Sequence, residues 1–365
     1  MKIAFYSPLK SPNHPVPSGD RLMARLLMKA MAMGGHDVSV VSELRSFTKQ
    51  PDDPNQDAIV EAARQESEAL ATQWCRDGKP DLWFCYHPYY KAPDLLGPKL
   101  CEEFGIPYVT VEASYAPKRN AMGWQAVQDE LLTTLEMAVV NICFTERDRD
   151  GLADASSSIH TTMLPPFIEA DPFLENAPAP TTGKMITVAM MRAGDKLGSY
   201  QALANALALL PNNLHWTLDI VGDGPERATV EAMFSRFDRG RLVWHGQKTA
   251  SEIALLHSRA ALYVWPGHGE AYGLAYLEAQ AAGLPVVAER IAGVPEVVKS
   301  GSTGILTPAG ATTAYAQAIE SLLTDESQRR QLSASARRFV MEERTLATAA
   351  ERLNHILLQV KAPES

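Results

Sequence analysis

The sequence predicts an α/β protein of two domains, each an open parallel sheet covered by helices. Three observations carry this. The 365 residues exceed one ordinary core and suit about two domains. Short apolar runs alternate with segments of helical period from end to end, the pattern of parallel strands joined by crossover helices. One stretch breaks the pattern: "ENAPAPTTGK", residues 175–184, is rich in proline, threonine and alanine and has no period.

In chain order, strands are expected at Lys2 to Tyr6, Asp37 to Val41, Leu82 to Tyr86, Tyr108 to Val111 and Val140 to Phe144, with helices such as Asp20 to Met33 and Asp57 to Cys75 between them. After the aperiodic stretch, strands are expected at Met185 to Ala189, Thr217 to Val221, Val243 to His245, Leu262 to Val264 and Pro285 to Val287. A last helix, about Thr345 to Val360, follows the elements the second domain needs and is expected to return to the first. The predicted domains are 1–178, 179–344 and this C-terminal segment, 345–365. Two such sheets in tandem, Rossmann-like and facing a cleft, carry ligand sites at the carboxyl ends of their strands.

Apolar residues make up 46% and charged residues 21%, a well-packed globular composition. The net charge of −9 argues against nucleic acid or anionic lipid as the main partner. Cys75, Cys85, Cys101 and Cys143 have no CxxC spacing and read as reduced thiols. The opening MKIAFYSPLK lacks the apolar core of a signal peptide, and no run reaches the roughly 20 apolar residues of a membrane span. A cytoplasmic protein is expected, with contact at the inner face of a membrane as a secondary expectation. Arg21, Arg25 and Lys29 form a basic stripe at i, i+4, i+8, expected opposite Leu22, Leu26 and Met33. It is either an ordinary solvated face or a dock for anionic lipid.

The stretch "GEAYGLAYLEAQAAGLPVV", 269–287, holds Glu270 and Glu278 amid apolar residues. A glycoside-hydrolase pair needs carboxyls roughly 5 to 9.5 Å apart across one bond. In a continuous helix these two would stand about 12 Å apart along the axis and some 80° around it, the wrong geometry. The better reading puts Glu270 in a loop, lets Gly273 turn the chain, and starts a helix near Leu274. The bare amides of that helix make a site for a phosphate or diphosphate, and the glutamates reach past it to sugar or ribose hydroxyls. Arg192 and Lys196, four apart just after a strand, crowd two cations at a helix N-terminus, which an anion between them relieves.

"EAYGLAYLEAQAAGLPVVAERIAGVPEVV", 270–298, resembles the E-x7-E signature of retaining, nucleotide-sugar-dependent glycosyltransferases of family 4, which have the GT-B fold. "VAMMRAGDKLGSYQAL", "LDIVGDGPER", "VWHGQK" and "MLPPFIEADPF" are similar to further stretches of that family. The resemblance implies that Arg192 and Lys196 bind the donor diphosphate, Glu270 the donor sugar and Glu278 the ribose. It places Tyr272, Gly273 and Leu274 at the phosphates and sugar, and Gly19 where the first domain meets the diphosphate. It implies a UDP-linked donor, no metal, and a glycan, lipid-linked or small-molecule acceptor. Many members carry a histidine after the fourth strand of the first domain; here Glu112 stands there. His87, Lys118 and Arg119 are the other acceptor-side candidates, each with a structural or solvated alternative. "GDGP", 222–225, lacks the third glycine of a dinucleotide fingerprint and reads as a strand-end turn. Two other functions stay open: an epimerase- or phosphorylase-like nucleotide-sugar enzyme, and a non-catalytic nucleotide-sugar-binding protein.

Overall fold

The computed structural model describes residues 1–16 and 18–360, which form two compact units. The first runs to Pro165 and takes in the helix Leu346–Val360; the second is Pro166–Thr345.

The first unit holds a six-stranded parallel sheet: β1 (Lys2–Tyr6), β2 (Asp37–Val40), β3 (Leu82–Tyr86), β4 (Tyr108–Val111), β5 (Val140–Cys143) and β6 (Thr161–Met163), in the order β2-β1-β3-β4-β5-β6. β3 and β4 are buried along their whole length, as parallel strands with helices on both faces must be. The edge strand β2 instead alternates exposed and half-buried residues. Strand order reverses between β1 and β3, so the loops after these two strands open the crevice where such sheets bind ligands. A buried carboxylate pins the core beside them. Asp94 accepts from Trp83 Nε1 (2.8 Å), the Tyr108 hydroxyl (3.1 Å) and the amides of Leu96 and Gly97.

The helix Gly19–Met33 buries Met23, Ala24, Leu26, Leu27, Ala30 and Met31. Leu22 and Met33 are exposed, so they do not share the apolar face expected of them. The helix packs against Leu346–Val360, and just past its end His36 Nε2 meets Asn354 Oδ1 of that second helix at 3.0 Å.

The second unit repeats the plan with β7 (Lys184–Val188), β8 (Thr217–Val221), β9 (Leu242–Gly246), β10 (Leu262–Val264), β11 (Val286–Arg290) and β12 (Gly304–Pro308), all parallel, in the order β12-β11-β10-β7-β8-β9. Its order reverses between β7 and β10.

The division between the units falls at Pro165/Pro166, before the expected boundary at 178/179. The physical reason lies in 166–184: composition marks 175–184 as a linker, but the whole segment is tied to the second unit. Arg337 donates to the carbonyls of Leu174 and Asn176, the Phe173 ring lies tilted against His257 with centroids 5.9 Å apart, and the amides of Ala179 and Thr181 donate to the carbonyls of Ser258 and Arg259. The expected C-terminal segment reaches past Val360, and its last residues lie outside those described.

Candidate active site

In the second unit, the loops after β7 and β10 meet at the strand-order reversal and, with the helices they lead into, carry seven of the twelve site residues singled out from sequence. β10 ends at Val264, and Trp265 to Gly273 lead into the helix Leu274–Ala281. Gly273 is left-handed (φ 80°, ψ 86°), and a β-carbon there would stand 2.7 Å from the Tyr276 ring. Glycine is therefore what lets the loop turn into the helix. Gly273 has no side chain with which to cap that helix; the Tyr276 amide donates to the Gly273 carbonyl at 3.1 Å, and the amides of Gly273 and Leu274 at the helix start suit an anion. Tyr272 and Leu274 are buried at this turn.

Glu270 lies in the loop and Glu278 is the fifth residue of the helix. The Glu270 carboxylate is ion-paired with Lys196 and accepts from Trp265 Nε1 at 3.0 Å. The Lys196 ammonium also lies 5.6 Å from the centre of the Trp265 ring. Glu278 is half-buried, and burial pushes its carboxyl up to about 7.

Lys196 is the second residue of the helix Asp195–Leu207, whose N-cap, Gly194, has φ 85°. Arg192, on the turn before it, is exposed and has no ion-pair or hydrogen-bond partner among the described residues. The glycines of "GDGP" shape this turn. A β-carbon on Gly222 would stand 2.9 Å from the Ala189 carbonyl carbon, and one on Gly224 2.9 Å from that of Met191. The loop after β8 thus lies directly against the loop that presents Arg192.

In the first unit, His87 follows β3 and Glu112 follows β4. Both are left-handed, with φ 60° and 57°, a strained conformation for residues other than glycine. Glu112 accepts from the Tyr86 hydroxyl at 2.8 Å, and His87 Nδ1 lies 3.5 Å from Asp20, which is ion-paired in turn with Lys10. Burial raises the Glu112 carboxyl against the opposing pull of His87 and Tyr86. Burial would lower the His87 pKa, but Glu112 and Asp20 outweigh it and raise the value. Burial would likewise raise Asp20, but His87 and Lys10 hold it well below the usual carboxylate range.

The other candidates stand apart from this cluster in their contacts. Gly19 opens its helix behind the Ser18 cap, and a β-carbon there would meet nothing within 4 Å. Lys118 and Arg119 lie on an exposed turn, where Arg119 stacks 5.8 Å over Tyr90. Arg21 and Arg25 spend their guanidinium groups on the carbonyls of Ser11, Pro12, His14 and Val16, so two members of the basic stripe hold a loop.

Sequence reasoning overlooked Trp265, His268 as a structural contact, and Glu289 in the second unit, and Lys10, Asp20 and Tyr86 in the first. Glu289 left a usable signal: a carboxylate inside the apolar run "VVAER" must find partners if it is buried.

Residues 178–339 match the family described as Glycosyl transferases group 1. N-acetyl-alpha-D-glucosaminyl L-malate synthase of Bacillus anthracis is 32% identical over 149 residues, 40% of this chain and 39% of that protein. The match thus spans well under half of that relative. Glycogen synthase of Mycobacterium tuberculosis is 27% identical over 383 residues, 93% of this chain and 90% of the relative. Among solved structures, sucrose-phosphate synthase from Thermosynechococcus elongatus superimposes with a TM-score of 0.76 at 20% identity, covering 98% of each chain. HepE of Anabaena, solved with UDP-glucose, superimposes with a TM-score of 0.69 at 17% identity, covering 98% of this chain and 100% of its own. The second unit thus resembles the group 1 glycosyl transferases over residues 178–339, and the chain's two six-stranded parallel sheets have the GT-B fold.

Proposed function

We propose that this protein is a retaining glycosyltransferase of family 4 that moves a sugar from a UDP-sugar to an acceptor hydroxyl, in the synthesis of a glycan, polysaccharide or glycolipid. The observation that carries the reading is the convergence of Arg192, Lys196, Glu270 and an uncapped helix N-terminus at the strand-order reversal of the second unit. A diphosphate needs the cations and amides, and a sugar hydroxyl needs the carboxylate. The relatives that synthesise glycogen and sucrose phosphate, and the UDP-glucose bound to HepE, support the same chemistry.

In the proposed reaction the bond from the anomeric carbon to the diphosphate oxygen breaks, and its electron pair stays on that oxygen. Arg192, Lys196 and the amides at Gly273 and Leu274 stabilise the charge that gathers there. The acceptor oxygen attacks the same face, and its proton passes to the departing diphosphate. Glu270 holds the donor sugar and Glu278 the ribose. The first unit supplies the acceptor side through His87 and Glu112, with Glu112 taking the place of the family histidine. The chain's own positive groups serve as the electrophile, so activity is expected to survive EDTA.

Calorimetry with a panel of UDP- and GDP-sugars tests this reading: at least one should bind, and transfer should need an added acceptor. Binding of none would refute it. Turnover of a bound nucleotide sugar without acceptor would favour an epimerase- or phosphorylase-like enzyme instead.

A further inference from the structure

The loop that carries Glu270 does not hold its own shape. Gly267, Gly269 and Gly273 all have positive φ, at 94°, 65° and 80°, and a chain so rich in left-handed glycine has many conformations to lose. Within the loop the Glu270 amide donates to the Gly267 carbonyl at 3.1 Å and Trp265 Nε1 to the Glu270 carboxylate at 3.0 Å. Further fasteners come from neighbouring elements, among them Lys196 on Glu270, the Tyr276 hydroxyl on the Trp265 carbonyl, and contacts made by His268 and Glu289.

His268 stands two residues before Glu270. Its amide donates to Ser199 Oγ at 2.9 Å, and its Nε2 lies 3.2 Å from Glu289 Oε2. Its Nδ1 would stand 3.1 Å from a β-carbon on Gly198, so the imidazole fits over that position because no side chain is there. Gly198 comes two residues after Lys196. His268 therefore ties the loop that presents Glu270 to the helix that presents Lys196 through its amide, while its imidazole lies over Gly198 and reaches Glu289.

Glu289, in β11, is only 2% exposed. A carboxylate so deep is costly unless its oxygens are hydrogen-bonded or paired. Besides His268, Oε2 accepts from the Gly310 amide at 3.0 Å, and the Glu289 amide donates to Pro266 O at 2.9 Å. The residue thus fastens both ends of the half-loop Pro266–His268 and the turn after β12.

We propose that His268 and Glu289 are positioning residues that set the Glu270 carboxylate for the sugar of the donor, while the nucleoside diphosphate is held without them. The inference rests on the role given to Glu270 above. The structural basis is that the brace ends on the loop before Glu270 and leaves the Gly273–Leu274 amides and Arg192 untouched.

The test is calorimetry on wild type, His268→Ala, His268→Gln and Gly198→Ala, using the nucleotide sugar that wild type binds best and its matching nucleoside diphosphate. His268→Ala and Gly198→Ala should weaken the nucleotide sugar about tenfold and leave the diphosphate within about twofold. His268→Gln, whose amide can still donate to Glu289, should stay within about threefold of wild type for both. Unchanged nucleotide-sugar affinity in the alanine variants overturns the inference, and so does an equal loss for both ligands, which marks general loosening. A glutamine variant as weak as alanine overturns the hydrogen bond as the cause. If wild type binds no nucleotide sugar, the assignment of Glu270 itself falls, an outcome separable from the others because it needs no variant.

Discussion

The Lys196 ammonium is ion-paired with the Glu270 carboxylate, joining the helix after β7 to the loop after β10. Sequence reasoning sent these groups to different parts of one ligand, the lysine to the diphosphate and the glutamate to the sugar. In the unliganded protein each is the other's partner. The pair keeps two charges satisfied in a half-buried site, and a ligand that takes both must replace their mutual attraction with its own contacts.

The pairing makes the two single substitutions behave differently. With the phosphate role proposed for Lys196, Lys196→Ala removes that contact and leaves Glu270 facing the same space, so affinity for the nucleoside diphosphate should fall by about 10- to 100-fold. Glu270→Ala frees Lys196, so diphosphate affinity should hold or rise by about threefold while nucleotide-sugar affinity falls about tenfold. The double variant should depart from additivity, as residues in contact do. Calorimetry on the four proteins checks this, and equal diphosphate losses in both single variants would contradict it.

Glu278 gives the site a pH dependence with a defined sign. Burial raises its carboxyl from 4.5 to about 7 in the folded protein. Between those values the folded state keeps a proton that the unfolded state has lost, so this group's contribution to stability falls as pH rises through the window. In the ribose-binding role proposed for Glu278, ligand binding should run the other way, because the ionised carboxylate is the form that accepts from both hydroxyls. Nucleotide-sugar affinity should increase about tenfold from pH 6 to pH 8, and Glu278→Gln should flatten that rise. A slope unchanged in the glutamine variant would assign the dependence to another group.

Much of the fold was legible because parallel strands buried on both faces leave long apolar runs. β1, β3, β4, β8 and β10 fall where the runs place them, residue for residue. The strands β6 and β12 were overlooked, since "TTM" and "GILTP" are short and carry little apolar signal. The unit boundary was misplaced because composition reports flexibility, whereas 166–184 is ordered by partners far away in sequence, Arg337 above all. The site divides on the same line. Gly273, Glu270 and Lys196 lie in local patterns that a reader can interpret from turn and helix chemistry. Asp20 and Glu289 matter through partners 67 and 21 residues away, His87 and His268, and local spacing cannot show such pairs.

The His87–Asp20 pair predicts a stability profile. His87 is raised from 6.5, so its contribution is complete below 6.5 and is lost as pH rises through the folded value. Asp20 is lowered from 3.8, so its contribution is complete above 3.8 and is lost as pH falls through the depressed value. The pair is therefore at full strength between those limits, near pH 5 to 6. Asp20→Asn should cost about 1 kcal/mol there, the modest figure suited to a partly exposed pair, and less at pH 9, where Lys10 alone still faces the lost charge. Thermal melts of both proteins at pH 5.5 and pH 9 measure the gap, and a gap that widens at pH 9 would contradict the assignment.

Gly222 and Gly224 offer a test of how the Arg192 turn is supported. Both have positive φ, 136° and 155°, and both lack room for a β-carbon beside the carbonyls of Ala189 and Met191. The backbone ties this approach further: the Met191 amide donates to Asp223 O at 2.9 Å, and the Glu226 amide donates to Met191 O at 3.1 Å. An alanine at 224 must move one loop away from the other, because a carbonyl cannot yield as a flexible side chain can. Gly224→Ala should destabilise the fold by about 1 to 3 kcal/mol, the range for backbone strain and overpacking. It should also weaken nucleoside-diphosphate binding by moving the turn that presents Arg192. Arg192→Ala in the same background should then cost less affinity than it does in wild type, since the displaced guanidinium has already lost part of its role. Denaturation and calorimetry on the four proteins measure both effects. An Arg192→Ala penalty as large in the Gly224→Ala background as in wild type would show that the glycine turn supports the fold without positioning the arginine.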